Sequence, residues 1–452
     1  MIRKTMKYNR ISFILVFFSL LLTNTAMSAT PSPFGGGWGD APFGEAPSAM
    51  PVGPSLGQSG MKASVAAEND DSNNCPLSLL PCPLKEIEQN NTSLKALRAE
   101  AEALKLDNRT GLTLSDPEVG YKRMWEGAEQ SGNLSEFTVE QAFDLSTVLG
   151  YKSRAAESRN LVVDEEYRLQ RMEILLEAQL TCIDLAYYHA LAAELDRRLL
   201  HARRVVEAEK RRLDSGDTDM LSYNNVQLSL SSLEAERERV YAEQAALTAQ
   251  LVRLNGGEPL DVSANLSDMD LFADLSDIDN LVAQAMEHSP AMTLVRTGRD
   301  AAKSELSLAK SAHLPTLSAA YIHERHTIGD RSQGVAVGMS LPLWANKNRV
   351  RSARAALQAA EAREADAEVQ LRSQLEAGYL HVQGLQRSAL RYRRALAEAN
   401  NTELLVRAMD EGYISVLEYL QGIELYYDYL DRSLSADRDY RRALAELEAW
   451  KL

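Results

Sequence analysis

The sequence predicts a mainly α-helical chain with a small β part, made of two copies of one unit that joins a long helical hairpin to a strand pair. Three observations predict it. Of the 14 prolines in 452 residues, six fall between Thr30 and Asn74, together with eight of the 24 glycines. The stretches Glu118 to Glu258 and Leu343 to Leu452 then hold no proline and are rich in Ala, Leu, Glu and Arg. Because a proline inside a helix costs roughly 3 kcal/mol or more, such tracts admit helices far beyond the usual length of about 11 to 12 residues. Third, the chain resembles itself at an offset of about 196 to 199 residues. Together these exclude an ordinary compact α/β enzyme.

Taken in order, Met1 to Ala29 carries Arg3, Lys4, Lys7 and Arg10, then the apolar run Ile11 to Leu22, then small residues ending Ser28-Ala29. That is the layout of a secretory signal peptide, and the apolar run is shorter than the roughly 20 residues of a membrane anchor. Removing its four basic residues takes the net charge from −15 to −19. An acidic balance speaks against nucleic acid as a partner. No later window approaches 18 apolar residues, so export leads to the periplasm, the outer membrane or the exterior. Residues 30–83 form a low-complexity leader with Gly35-Gly36-Gly37 and scattered Pro and Ser, too poor in apolar residues to offset the entropy of ordering. Cys75 and Cys82 flank Pro76 to Pro81 and either form a local disulfide in an oxidising compartment or stay two thiols.

The repeat organises the rest, with copies at 84–275 and 276–452. Arg212 to Tyr223 echoes Ala408 to Tyr419, with Gly216/Gly412, Leu221/Leu417 and Tyr223/Tyr419 coinciding. Asp116-Pro117 matches Leu314-Pro315 upstream. The first copy reads as a helix at about Leu84 to Leu106, a strand pair within 112–147, a very long helix at Leu149 to Leu213, and a second at Asp217 to Asn255. The second copy reads as a helix over Ser276 to His313 interrupted by Pro290, a strand pair within 316–344, and helices at Asn346 to Asp410 and Ser415 to Lys451. Each longest helix is expected to run about 65 residues, or about 97 Å at 1.5 Å per residue. With a Gly turn between its two helices, each unit predicts a coiled-coil hairpin.

In the second strand pair Val335, Val337, Met339 and Leu341 alternate with Ala336, Gly338 and Ser340, giving one apolar and one small or polar face. The first pair alternates more weakly, through Val119, Tyr121 and Trp125, then Phe137, Val139 and Phe143. A sheet packed on a helix gives the same pattern. Export favours a membrane sheet, which must leave no unpaired edge. Four strands cannot close alone, whereas three copies supply twelve.

These features together resemble the TolC-family outer-membrane efflux proteins: the duplicated layout, the Leu314 to Ser318 entry to the second strand pair, its Ser340-Leu341-Pro342-Leu343 exit and both Gly-centred turns. The resemblance covers about Leu84 to Leu452. It implies a homotrimer with a twelve-stranded barrel in outer-membrane lipid and a long α-helical barrel crossing the periplasm. It implies as partners a periplasmic adaptor (membrane fusion protein) and a proton-driven inner-membrane transporter of the RND type. Under it the loops near Glu129 to Asn133 and Gly329 to Ser332 face outside, and Val335, Val337, Met339 and Leu341 face lipid. Gly216, Thr218, Gly412 and Ser415 fall at the periplasmic tip, where the adaptor docks. Glu418 falls where a relative has an acidic gate ring, while the next acidic place is Gln421 here. A solvated helix face accounts equally for Glu418, and helix capping for Asp217-Thr218-Asp219.

No phosphate-cradling loop, nucleophile elbow or zinc helix occurs, so catalytic, cofactor-binding and metal residues are expected to be absent. His323-Glu324-Arg325-His326 places its imidazoles three apart on a strand, hence on opposite faces. The expected function is a passive, non-enzymatic duct for small molecules or drugs, with metal-ion efflux or type I protein secretion as other cargoes of the same duct. An exported periplasmic coiled-coil protein is the rival of a different kind.

Overall fold

The computed structural model describes residues 82–125, 133–260, 275, 277–326, 331–342, 344, 346–399 and 401–452. The expected signal peptide and nearly all of the leader lie outside them, as do the interiors of both strand-pair loops.

The first repeat opens with α1 (Leu84–Asn90) and α2 (Thr92–Asn108). One helix is expected here, and the break has a single cause. The buried Asn91 caps α2 by accepting the Leu94 N–H at 2.8 Å, and donates from Nδ2 to the Leu254 carbonyl at 2.8 Å. Strands β1 (Glu118–Met124) and β2 (Leu134–Asp144) follow, then a single turn, α3 (Leu145–Val148). Gly150, at φ 74°, turns the chain into α4 (Tyr151–Ser215), whose 65 residues match the expected length. Its partner is α5 (Met220–Leu254).

The second repeat begins with α6 (Ile278–His288) and α7 (Pro290–Ser311), parted at Ser289 with Pro290 in the first helical turn. Proline suits that place because its missing N–H has no partner to lose. Next come β3 (Thr316–His326), β4 (Arg331–Ser340), α8 (Arg349–Glu398), α9 (Thr402–Asp410) and α10 (Val416–Leu447). Here the structure corrects the sequence reading. The second long helix is not a 65-residue twin of α4 but 50 residues of α8 followed by nine of α9. The restart falls at Asn401-Thr402, residue types whose side chains compete for backbone hydrogen bonds and so favour helix ends.

The four strands form one antiparallel meander in the order β1-β2-β3-β4. Its central pairing, from Leu134↔His326 to Asp144↔Thr316, joins the two repeats, and β1 and β4 are the edges. Helical packing is concentrated in four apolar clusters. One sets α4 residues Ile183 to Leu195 against Val240 of α5 and Ala445 of α10. A second packs α6 between α8 and α10 through Leu281, Val282, Leu375, Val382 and Leu444. A third fixes Ile87 of α1 on Ala178, Cys182, Leu251 and Leu254. The fourth, near the Gly turns, joins α4, α5 and α10 through Val205, Val206, Val226, Val416, Tyr419 and Ile423.

Candidate functional site

The register of the sheet sorts its side chains onto two faces of opposite character. Val119, Val139, Tyr321 and Val335 stand side by side across all four strands, and Phe143, Leu317 and Met339 form a parallel row. The other face carries Glu118, Glu140, Ala320 and Ala336 in one row and Asp144, Thr316 and Ser340 in another. Val335, Val337, Met339 and Leu341 are 80%, 83%, 60% and 54% exposed. A sheet packed on a helix would bury such residues, yet the four helical clusters include no strand residue. Large apolar patches left bare mark an interaction surface. Trp125, just past β1, and Trp344, just past β4, are exposed at opposite ends of the sheet.

At the far end of the helices, the two turns use the same hydrogen bonds 196 residues apart. Asp217 N–H donates to the Arg212 carbonyl at 2.8 Å, and Tyr413 N–H to that of Ala408 at 2.8 Å. Gly216 and Gly412 take φ 81° and 76°, the left-handed conformation that glycine reaches without penalty. The next helices start alike, with Asp219 accepting from Ser222 N–H at 2.7 Å and Ser415 accepting from Glu418 N–H at 3.2 Å. Thr218 is half-buried in the first turn, and Gln421 is exposed one turn into α10. The Glu418 carboxylate accepts from Ser415 N–H at 2.8 Å and its hydroxyl at 2.9 Å, closing a capping box. Those two bonds hold its pKa below the usual carboxylate value. Around the turns, Met220, Leu221, Tyr413 and Leu417 leave apolar side chains exposed.

Polar contacts that sequence reasoning missed tie α4 and α8 to α10. Arg198 of α4 is buried, donates to both oxygens of Asp431 at 3.0 and 2.7 Å, and lies 4.3 Å from the centre of the Tyr427 ring. Arg393 of α8 donates to Asp437 of α10 at 2.9 Å, and burial raises that carboxyl's pKa. Tyr419 meets His201 of α4 at 3.0 Å. Burial lowers the His201 pKa, with Arg204 acting the same way and Asp410 opposing it. The partners lie more than 200 residues apart in sequence, except Arg393 and Asp437, so local patterns hold no trace of them.

Cysteine pairing also differs from expectation. Cys82 bonds to Cys182 of α4 across 100 residues, which removes the alternative of a local bridge to Cys75. Cys75 lies outside the described residues. His323 and His326 fall on opposite faces of β3, and no metal-holding group of three or more His, Cys, Asp or Glu occurs among the described residues. No described helix is long and apolar enough to cross a membrane.

A bare apolar sheet face, opposed by a polar one, is thus carried on long helical hairpins. Residues 281–450, most of the second repeat, match the family model described as outer membrane efflux protein. No curated protein sequence matches the chain. Among solved structures the fold is shared with CusC at TM-score 0.68 and 14% identity, covering 81% of this chain and 90% of that one. It is shared with VceC from Vibrio cholerae at 0.66 and 16%, covering 81% and 94%, and with the CmeC channel of Campylobacter jejuni at 0.62 and 14%, covering 81% and 84%. The last two of these are described as an outer membrane protein and an outer membrane channel. The resemblance to outer-membrane efflux proteins read from the sequence therefore stands.

Proposed function

We propose that this chain is the outer-membrane component of a tripartite efflux pump, a trimeric passive duct that conducts small molecules or drugs outward. The observation that carries the reading is the sheet. Its apolar face is exposed, its polar face suits water, and both of its edges lack partners. Three copies pairing β4 to β1 would close a twelve-stranded barrel, give each edge strand a partner and put Val335, Val337, Met339 and Leu341 against lipid. The helices α4, α5, α8, α9 and α10 would then line the periplasmic conduit.

The tip is where a periplasmic adaptor would dock. Gly216, Thr218, Gly412 and Ser415 make two sharp, structurally equivalent reversals, flanked by the exposed Met220, Leu221, Tyr413 and Leu417. Glu418 and Gln421 stand at the mouth of that end. The energy for export would come from an inner-membrane transporter of the proton-driven RND type, since the duct has none of its own.

Membrane fractionation followed by heated and unheated gel migration tests the reading. A heat-modifiable trimer in the outer-membrane fraction supports it, whereas an elongated protein soluble without detergent overturns it in favour of a periplasmic coiled coil. Cross-linkers placed in the Gly216 and Gly412 turns should capture the adaptor, and a deletion strain challenged with antibiotics, bile salts, dyes and metals should reveal the cargo.

A further inference from the structure

The border of the apolar sheet face carries a feature that conduction does not use. At the hairpin end Arg123 pairs with Ser135, Ser135 with Arg325, and Arg325 with Arg331, one lateral row across all four strands. By the two-residue period of a strand, this row shares its face with Val119, Val139, Tyr321 and Val335. Between the two lies the row Tyr121, Phe137, His323 and Gln333. The face thus grades from apolar, through a partly aromatic row, to three guanidinium groups. All three arginines are exposed, and none forms a salt bridge with another described residue; Arg123 lies 5.8 Å from the centre of the Trp125 ring.

Charge is segregated across the sheet. Glu118, Glu136, Glu140 and Glu324 all lie on the opposite face, where the basic residue is Lys122, 3.9 Å from Glu136. The acids of the adjoining loops, Glu126, Glu129 and Asp330, lie outside the described residues. Placing every arginine of the sheet on the apolar side is costly unless an anion meets them there, because a desolvated guanidinium needs a partner.

Spacing says where they stand. From Leu341 to Arg331 along β4 is ten residues, about 33 Å at 3.3 Å per residue, or about 25 Å of height at a strand tilt of 35–45°. That is about the height of the apolar band of an outer-membrane barrel. With Leu341 and the exposed Trp344 at the periplasmic border, the arginine row stands at the outer one. Guanidinium groups bind phosphate through paired N–H donors, which an ammonium does not match in geometry.

We propose that Arg123, Arg325 and Arg331 form a phosphate-binding row for the phosphorylated glycolipid of the outer leaflet. This rests on the outer-membrane reading above. In a trimer the row would repeat three times around the barrel and fix its depth in the membrane.

The test uses the full-length trimer reconstituted in bilayers, with fluorescent lipid A carrying both phosphates or neither as the probe. Each juxtamembrane arginine is worth about a 5-fold gain in binding, so native protein should prefer the phosphorylated form on the order of 100-fold at low salt. The triple variant R123Q/R325Q/R331Q should lose that preference, and R331Q alone should lose about 5-fold of it. Lys122→Gln, which removes one positive charge from the other face of the same strand, should leave the preference unchanged. Equal binding of the two lipids by native protein overturns the proposal, as does a loss with Lys122→Gln as large as with R331Q, which would show a net-charge effect. Should the triple variant not assemble, R331Q supplies the same readout. A native chain that conducts in bilayers yet ignores phosphate overturns the row alone, whereas one that never inserts overturns the duct reading with it.

Discussion

In the first repeat α4 runs unbroken to its turn, whereas in the second α8 stops and the short α9 completes the distance. Aligned at the 196-residue offset, Arg203-Arg204-Val205-Val206 of α4 stands where the second copy has Ala399-Asn400-Asn401-Thr402. Val205 and Val206 are buried in the cluster near the turns, while α9 has no buried residue and leans on that cluster through Leu405, Val406 and Met409. Leu405 packs over Gly422 of α10, where an added Cβ would come within 2.9 Å of its Cδ2 and force it to shift. Valine 226 holds the matching place in the first copy. One tip is therefore a continuous rod and the other is jointed. Local opening free energies follow buried apolar contact, so the jointed tip should open first.

The entry helices differ in the same spirit. The seven-residue α1 buries only Ile87 and is fastened by the Cys82–Cys182 bond. The eleven-residue α6 buries Leu281, Val282 and Ala285 and has no such bond. A buried Leu or Val contributes about 1.5 to 3 kcal/mol, and closing a 100-residue loop contributes about 4.7 kcal/mol in the chain-entropy model. Covalent closure in one copy thus stands in for apolar area in the other.

Breaking that bond should give the largest effect. Cys182→Ser is expected to cost about 4 to 5 kcal/mol and to release α1 first, read as protease cleavage near residue 91 and a fall in trimer dissociation temperature. An unchanged dissociation temperature would show that α1 does not depend on the bond. Next, transplanting the first copy's residues into the joint, as Asn400→Arg with Asn401→Val, should make the two tips alike. Proteolysis between 398 and 402 should slow about 10-fold, and single-channel conductance should fall; faster proteolysis would mean that the joint is imposed by packing instead of by Asn-Asn-Thr.

A smaller effect concerns the contact between the tips. Because burial holds the His201 pKa below its usual 6.5, the unfolded or opened form takes up a proton first as pH falls. The Tyr419 contact is at full strength above about pH 6.5 and weakens as pH drops from there through the lowered native pKa. Arg204 of α4 adds to this, Asp410 at the end of α9 opposes it, and Glu403, Arg407 and Glu411 line the same groove. Conductance should therefore rise between pH 7.5 and 5.5 in the native protein and stay flat in His201→Gln. The smallest change is expected from Glu418→Ala. Its carboxylate is engaged by Ser415, so conductance should rise less than about twofold; a larger rise with altered cation preference would assign it to the gate.

Much of this was legible in the sequence. Proline-free tracts gave the long helices, and alternation at Val335 to Leu341 gave an apolar strand face, since both signals are local. The breaks at Asn91 and Asn401 were written locally too, as Asn90-Asn91-Thr92 and Asn400-Asn401-Thr402, but expecting one continuous helix in each place hid them. The contacts Arg198–Asp431, His201–Tyr419 and Cys82–Cys182 were not legible, because each joins residues 100 or more apart whose approach depends on how the hairpins pack. Glu418 was placed near the mouth by position, while its bond to Ser415 depends on a rotamer.

The seven residues of β1 against the ten of β4 carry a kinetic consequence. A newly made chain presents two raw edges and an oily surface at once, which is a template for fibril growth as readily as for correct pairing. If the duct closes as a trimer, as proposed above, survival of the lone subunit would depend on how soon it finds two others, and yield should fall steeply when the chain is made faster than the membrane can accept it. In a barrel closed as proposed, seven residues could not cover ten, and each seam would leave a short notch of unpaired backbone along β4.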